Sequence, residues 1–275
     1  MTYGTTITFT ENTSWQCPAN VYCVDLKLRG GGGGGGAGGD SERHNYNGGY
    51  AGAYTEASLV AVTPGNYYSI VIGNGGAALN YEREGFPGGA TIALGYTAAG
   101  GAGGDEKTGG PGPGQNGGPP AGGGAGLTGG SPTFTTGGTA SGGGGGGGGS
   151  SNSGLGYYTT IDGGAGGKGV ATIEYTLPTA DFTGTPLSGQ LPVTTTWTNL
   201  STDATSYYWN FGNSTSSSDT NPSPTTYNTS ADFTVTLTAT GLYGIAQKVR
   251  TGYVKVSRIP YSCSFLIMSD NLRGV

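Results

Sequence analysis

Seven consecutive glycines, Gly30 to Gly36, and eight more, Gly142 to Gly149, limit this chain more than any other feature. All but seven of its 61 glycines fall in the first 177 residues. Glycine brings no side chain to a core and loses the most backbone freedom on ordering. Fixing a backbone costs about 1–2 kcal/mol per residue. Such a stretch either stays unfolded or is held by main-chain hydrogen bonds to other main chain. Strand-like sequence brackets the runs: Val21 to Leu28 precedes the first, and Val170 to Tyr175 follows the last. A flexible linker lacks that bracketing. Collagen is excluded, because glycine does not recur at every third position and proline numbers only 14. The ordered alternative is a bundle of extended, polyproline-II-like segments, each rising about 3.1 Å per residue. Bare backbones of this kind can lie side by side and satisfy one another's N–H and C=O groups.

The rest of the composition bounds the function. Charged residues make up 10% of the chain, against about 25% in ordinary domains. The formal net charge is −5, and no basic stripe offers a footprint for nucleic acid. Thr, Ser, Asn and Tyr supply the polar surface, which suits extracellular particles and recognition faces. The N-terminus reads as an alternating strand with Ile7 and Phe9 on one face, not as a signal peptide. No apolar run of about 18 residues offers a membrane span. Surface-type composition with no export signal is expected of a component released by lysis, such as part of a phage virion.

The chain divides into two grammars. From Met1 to Leu177, strands are expected at Thr6 to Thr10, Val21 to Leu28, Ala57 to Val62, Tyr67 to Ile72 and Val170 to Tyr175. In the second, Val24, Leu26 and Leu28 face one way while Asp25 and Lys27 face the other, a half-buried pattern. Thr63-Pro64-Gly65-Asn66 is expected to be a hairpin turn. From residue 178, glycine falls to background and alternation is clean: Phe233, Val235, Leu237 and Ala239 against Thr234, Thr236 and Thr238. Several short strands separated by Asn/Pro/Ser/Gly clusters over some eighty residues predict a β-sandwich at 178–257. Residues 258–275, with Phe265-Leu266-Ile267-Met268, form a tail. The fold class is all-β: a glycine-rich β domain over 1–177, then the sandwich.

Two resemblances sharpen this. Trp15-Gln16-Cys17-Pro18-Ala19-Asn20-Val21 leads through Val24-Asp25-Leu26-Lys27-Leu28-Arg29 into a glycine run. Val62 to Gly76 then forms a V-T-P-G-x-x-Y-x-I-x-V/I-G-x-G-G hairpin, and Gly163 to Tyr175 a closing strand. In that order these landmarks resemble the glycine-rich domain of phage tail-fibre and adhesin-type proteins, over about residues 6–176. Further on, Tyr208-Trp209-Asn210-Phe211-Gly212-Asn213, Asn221-Pro222, Tyr227 and Phe233-Thr234-Val235-Thr236-Leu237 resemble the PKD domain, an immunoglobulin-like sandwich, over about 179–257. Asn210 and Asn213 stand where that family often has acids, and Thr225 where it often has histidine. The resemblance therefore carries no cation site here. It implies a module that presents surfaces and performs no chemistry.

Motifs that could carry chemistry fail on inspection. Gly167-Lys168 resembles the end of a P-loop, but Asp162 replaces its first glycine and a strand follows. Glu82 and Glu84 read as a solvated loop around Arg83 rather than a hydrolytic pair. His44, the sole histidine, sits in a polar glycine-rich loop with no orienting partner. Cys17, Cys23 and Cys263 are odd in number; they read as buried free thiols, with a Cys17–Cys23 bridge as the alternative. Asn12, Asn199, Asn213 and Asn228 open sequons that a Thr-rich chain produces by chance. No catalytic, cofactor-binding or metal-binding residue is assigned, and no cofactor.

Aromatics remain as recognition candidates. Tyr46, Tyr50, Tyr54, Tyr81, Phe86 and Tyr96 lie in or beside glycine-rich loops. Flat rings on loops make platforms for sugars or proteins; the alternative is that they cap the glycine bundle. The expected function is a non-enzymatic virion protein of a bacteriophage, as tail fibre, adhesin, or capsid or tail decoration. Its expected partners are other virion proteins, a host-surface glycan or protein, and copies of itself, with trimers favoured by analogy to fibres. Nucleic acid and membrane insertion are not expected. The alternatives are a secreted cell-surface adhesin or filament subunit, and an accessory module of a polysaccharide-degrading enzyme.

Overall fold

The computed structural model describes residues 4–36, 45–46, 49–77, 84–107 and 164–258. The chain forms two compact units, Met1–Leu177 and Pro178–Val275. All regular structure among the described residues is β.

The first unit holds two four-stranded sheets. One runs β1 (Thr5–Phe9), β10 (Val170–Tyr175), β3 (Cys23–Arg29) and β5 (Tyr54–Ala61), all antiparallel. The other runs β2 (Thr13–Gln16), β6 (Tyr67–Val71), β7 (Thr91–Ala93) and β8 (Tyr96–Ala98). A short pair, β4 (Asn45–Tyr46) and β9 (Glu106–Lys107), lies apart. Strands β3 and β10 pack on β7, closing a core of Val24, Leu26, Leu28, Ile70, Ala93, Ala98, Ala171 and Ile173, each no more than 1% exposed. Thr63–Asn66 makes the expected turn: Gly65 takes φ of 81° and the Asn66 amide donates to the Thr63 carbonyl at 3.2 Å. Pro64 followed by a left-handed glycine is the type II arrangement.

The platform is larger than the five strands expected from sequence. Strands β2, β7 and β8 were not anticipated; they are three or four residues long, too short for alternation to show. Strand β3 also departs from half-burial, since Asp25 (5% exposed) and Arg29 (3%) are buried on the face opposite Leu26. Asp25 has a local use there. A bulge in the β3–β5 register turns Leu59 to a left-handed φ of 54°, and the Leu59 amide donates to Asp25 Oδ1 at 2.8 Å.

Six of these strands extend into glycine-rich segments on one side of the sandwich. Residues 30–36, 72–77 and 99–104 continue β3, β6 and β8 outward; 49–53, 84–90 and 164–169 return into β5, β7 and β10. Residues 30–36 lie at the centre, fully buried. Their amides address three neighbours in rotation. Gly30 and Gly33 donate to Ala53 and Tyr50, Gly31 and Gly34 to Gly89 and Phe86, and Gly32 and Gly35 to Gly167 and Gly164, at 2.8–3.0 Å. Partners step back three residues as donors step forward three, so all three neighbours are antiparallel. The carbonyls of Gly31 and Gly34 accept from Gly101 and Gly104, and that of Gly32 from Gly76. A three-residue repeat is that of a polyproline-II helix.

Glycine is required here by crowding, not by backbone conformation. None of the central residues Gly30, Gly31, Gly33 or Gly34 has a left-handed φ. A Cβ on any of the four would sit inside a carbonyl, that of Ala99, Asn74, Ala102 or Ala77 respectively. Outer segments obey a looser form of the rule. Asn74 and Ala77, Ala99, Ala102 and Asp105, and Ala53 and Tyr50 recur at every third position and are exposed. The glycines between them turn inward.

The second unit packs β11 (Phe182–Thr185), β13 (Val193–Asn199) and β16 (Thr225–Tyr227) against a five-stranded sheet. That sheet runs β12 (Ser188–Gln190), β18 (Ile245–Ser257), β17 (Ala231–Thr240), β14 (Ser206–Asn210) and β15 (Ser216–Ser217). Phe182, Trp197, Trp209 and Phe211 form one aromatic cluster, with ring centroids 5.3–6.2 Å apart. Their polar atoms are satisfied inside: Trp197 Nε1 donates to Thr225 Oγ1, Trp209 Nε1 to the Asp219 carbonyl and Tyr227 Oη to the Phe211 carbonyl, each at 3.0 Å.

Gly33→Ala places a methyl group against the Ala102 carbonyl at the bundle centre. It should cost about 3 kcal/mol or more, or prevent folding of the first unit. Ala102→Gly, on an outward position, should cost about 1 kcal/mol or less. Denaturant unfolding of the two variants checks the difference.

Candidate functional site

The bundle fixes the backbones of two recognition candidates. Tyr50 is locked on both sides: its carbonyl accepts from Gly33 at 2.8 Å and its amide donates to Ala102 at 2.9 Å. The Phe86 carbonyl accepts from Gly34 at 2.8 Å. The segments carrying Tyr50 and Phe86 flank residues 99–104, to which both are hydrogen-bonded. Because Gly33 and Gly34 are adjacent, the two residues stand at nearly the same height along the bundle. Both rings face solvent, Tyr50 at 38% exposure and Phe86 at 53%.

The other candidates are dispersed. Tyr54 sits where the bundle meets the sheet, paired with Arg29 across β3 and β5. The Arg29 guanidinium lies 5.3 Å from the Tyr54 ring centroid and also reaches the Gly52 carbonyl. Tyr54 Oη donates to Glu56 Oε2 at 3.1 Å. Burial, then the bond to Glu56, pushes the Tyr54 hydroxyl above its ordinary value, while burial pulls Arg29 down. Tyr54 is therefore tied to the junction. Tyr96 is exposed at the opposite end of the sandwich. It follows a two-residue hairpin in which Leu94 (φ 52°) and Gly95 (φ 83°) are both left-handed, the geometry of a type I′ turn. Tyr46 lies in β4, opposite Glu106. Tyr81 lies outside the described residues, as do His44, Glu82, Arg83, Cys263, the Gly142–Gly149 run and the tail beyond Arg258.

Residues scanned for chemistry have structural occupations. Neither Cys17 nor Cys23 is in a disulfide. Cys17 Sγ donates to the Val21 carbonyl at 3.3 Å, and burial raises both thiols. Asn210 Oδ1 accepts from the Gly212 amide at 2.9 Å, and Asn213 Oδ1 from the Thr215 amide at 3.2 Å. Both asparagines are thus turn-formers. No cluster of three or more His, Cys, Asp or Glu residues with metal-binding geometry occurs among the described residues. No helix there is long and apolar enough to cross a membrane.

One ion-pair group spans the sheets of the second unit. Arg250 Nη2 donates to Asp181 Oδ1 at 2.9 Å, and Lys248 Nζ stands 3.7 Å from the same oxygen. The guanidinium also lies about 5 Å from the rings of Phe182 and Tyr253. Donation from the Phe182 amide, together with Lys248 and Arg250, holds the Asp181 carboxyl below its ordinary value despite partial burial.

Residues 6–176 match the glycine-rich domain family, and residues 179–251 match the PKD domain. The protein belongs to the glycine-rich domain family, and carries a PKD domain directly after that domain. A PKD domain points to a cell-surface or adhesin-like module. A search of the curated proteins finds no match to the chain.

The lowered Asp181 carboxyl contributes stability above the ordinary carboxylate range near about 3.9, and that contribution fades as pH falls through the lowered value. Asp181→Asn should cost less than about 1 kcal/mol at neutral pH, because the pair is partly exposed. The gap from the parent should close as pH falls through the lowered Asp181 value. Parallel thermal melts across pH test this.

Proposed function

We propose that this protein is a non-enzymatic structural protein of a bacteriophage virion. It serves as a tail-fibre or adhesin component, or as a capsid or tail decoration, and attaches the particle to a host surface. The observation that carries the reading is the glycine bundle itself. It holds Tyr50 and Phe86 exposed on either side of residues 99–104, on backbones hydrogen-bonded into the bundle. Rigid presentation lowers the entropic cost of binding, because the contact groups are ordered beforehand. The PKD domain adds a second surface module. Its partners on this reading are other virion proteins, a host-surface glycan or protein, and further copies of the chain, with a trimer as the assembly fibres favour. Sheet edges β1 and β5 are available for such contacts.

The same presentation would serve a secreted bacterial or archaeal adhesin or filament subunit. The PKD domain favours that as a second reading, since such modules belong to cell surfaces. Immunogold labelling of purified particles separates the two: label on virions supports the first, label confined to cell surfaces the second.

Attachment itself has a direct test. Soluble protein added before infection should compete with particle adsorption in a dose-dependent way. Tyr50→Ala combined with Phe86→Ala should weaken that competition by about tenfold. An absence of competition at saturating dose would remove the attachment role.

A further inference from the structure

A polyproline-II helix repeats every three residues, so it aims amides in three directions and carbonyls in the three directions between. The central segment, residues 30–36, therefore has six faces. Its amides meet 49–53, 84–90 and 164–169. The carbonyls of Gly31 and Gly34 accept from Gly101 and Gly104 at 2.8 Å, and that of Gly32 from Gly76 at 2.7 Å. The remaining set, the carbonyls of Gly30 and Gly33, accepts no backbone amide among the described residues. A carbonyl points opposite the amide that follows it in the same peptide plane. The order around the centre is thus 49–53, 99–104, 84–90, 72–77, 164–169 and a sixth position. Hydrogen bonds join each successive pair of the five: Tyr50 to Ala102, Gly88 to Gly101, Gly89 to Asn74 and Gly166 to Gly76. Among the described residues no backbone bond joins 164–169 to 49–53. The sixth position lies between those two.

This position is shut to solvent and walled by main chain. A Cβ on Gly30 or Gly33 points at 99–104, and one on Gly31 or Gly34 at 72–77. By the same rotation Gly32 and Gly35 turn toward the sixth position, yet all of Gly30 to Gly36 are buried. The flanks add donors. Tyr50 and Ala53 spend their amides on 99–104 and their carbonyls on the centre. The threefold repeat then aims the amides of Gly49 and Gly52 at the sixth position. On the other flank Gly166 and Gly169 donate to 72–77, which aims the amides of Gly164 and Gly167 the same way. These four glycines are buried as well, whereas Tyr50, Ala53 and Lys168 are exposed. The slot therefore has carbonyls on its floor and amides on both walls. Buried backbone groups are almost always paired. Only another extended backbone offers partners to all three surfaces at once.

The neighbours fix the occupant's direction and sequence. Outward and returning segments alternate around the centre, so the sixth runs outward, antiparallel to both flanks. Its counterparts are 72–77 and 99–104, which also stand between two returning segments. Each keeps glycine at two adjacent positions in three. A Cβ on Gly75 or Gly76 would sit inside the carbonyl of Gly166 or Phe86, and one on Gly100 or Gly101 inside that of Gly88 or Tyr50. Only the third position, as at Ala77 and Ala102, is exposed. Two such repeats in succession need glycine at i, i+1, i+3 and i+4. Of the stretches lying wholly outside the described residues, Gly142 to Gly149 alone provides this. Eight residues span about 25 Å, enough to line the whole central segment. The run also precedes 164–169 in the chain, as 72–77 precedes 84–90, its neighbour in the ring.

We propose that Gly142 to Gly149 docks in the sixth position, running outward between 49–53 and 164–169. The second long glycine run thereby completes the ring around the first, and residues 150–163 join it to the returning segment.

Alanine scanning of Gly143 through Gly148 in the full chain, read by thermal melts, tests this. Two of every three substitutions should lower the melting temperature of the first unit by about 6 °C or more. The third should leave it within about 2 °C, the two tolerated positions falling three residues apart. Hydrogen exchange followed by nuclear magnetic resonance reads the slot itself. The amides of Gly49, Gly52, Gly164 and Gly167 should be protected in the parent. Gly145→Val with Gly146→Val puts at least one side chain inward in any frame. It should speed exchange at those four amides about tenfold or more, while Gly101 and Gly104 stay within about twofold. If the double variant does not fold, protection in the parent and the period of the scan decide. The proposal is overturned if the four amides exchange freely in the parent, if the scan shows no three-residue period, or if the folded double variant protects them as the parent does. Protection that is lost on dilution gives the slot to a second copy of the chain and overturns it too.

Discussion

The amides of Gly30 to Gly35 hold the glycine bundle of the first unit together. Donated in rotation to three antiparallel neighbours, they replace the side-chain core that a glycine run cannot make. Each amide–carbonyl bond contributes on the order of 1 kcal/mol net, comparable to the cost of ordering the residue that makes it. The bundle therefore cannot stand on hydrogen bonds alone. It depends on the sandwich beneath, where six strands deliver its segments already aligned and Val24, Leu26, Leu28, Ile70 and Ile173 supply apolar burial.

That dependence sets the logic of the outer positions. The central segment needs glycine at Gly30, Gly31, Gly33 and Gly34, because a Cβ there would sit inside a neighbouring carbonyl. A peripheral segment needs it only where it faces inward, and its third positions are open to other residues. Asn74, Ala77, Ala99, Ala102, Ala53 and Tyr50 occupy such positions. Their side chains prevent another backbone from approaching as closely as those inside do, so they end the lattice as well as decorate it. On the proposed attachment reading, recognition and containment share Tyr50.

The second unit solves the same problem of a low-charge chain by ordinary means. Its core is aromatic, and its buried polar atoms find partners within it: Thr225 on Trp197, the Phe211 carbonyl on Tyr227. Asn210 and Asn213 spend their side chains on turns. Its exposed strand faces are threonine and tyrosine, which favour strands and need no counter-ion.

Much of this was legible in the linear chain, for reasons tied to particular residues. Glycine density and the bracketing strands marked a main-chain-bonded bundle, and Trp209-Asn210-Phe211-Gly212 with Tyr227 marked the sandwich. Strands β2, β7 and β8 were not legible, because three or four residues carry no readable period and their pairing is made at long range. The three-residue spacing of Ala99, Ala102 and Asp105 was present in the sequence but lasts too few turns in any one segment to stand out from the surrounding glycine. Nor could sequence set Tyr50 and Phe86 at one height on either side of residues 99–104 while sending Tyr96 to the opposite end. Composition by itself determined that any order in the glycine segments must come from backbone bonded to backbone, since glycine offers nothing else. Which segment lies at the centre, and which rings reach solvent together, only the tertiary structure decided, because a bare backbone bonds equally well to any other until strand pairing in the sandwich fixes its neighbours.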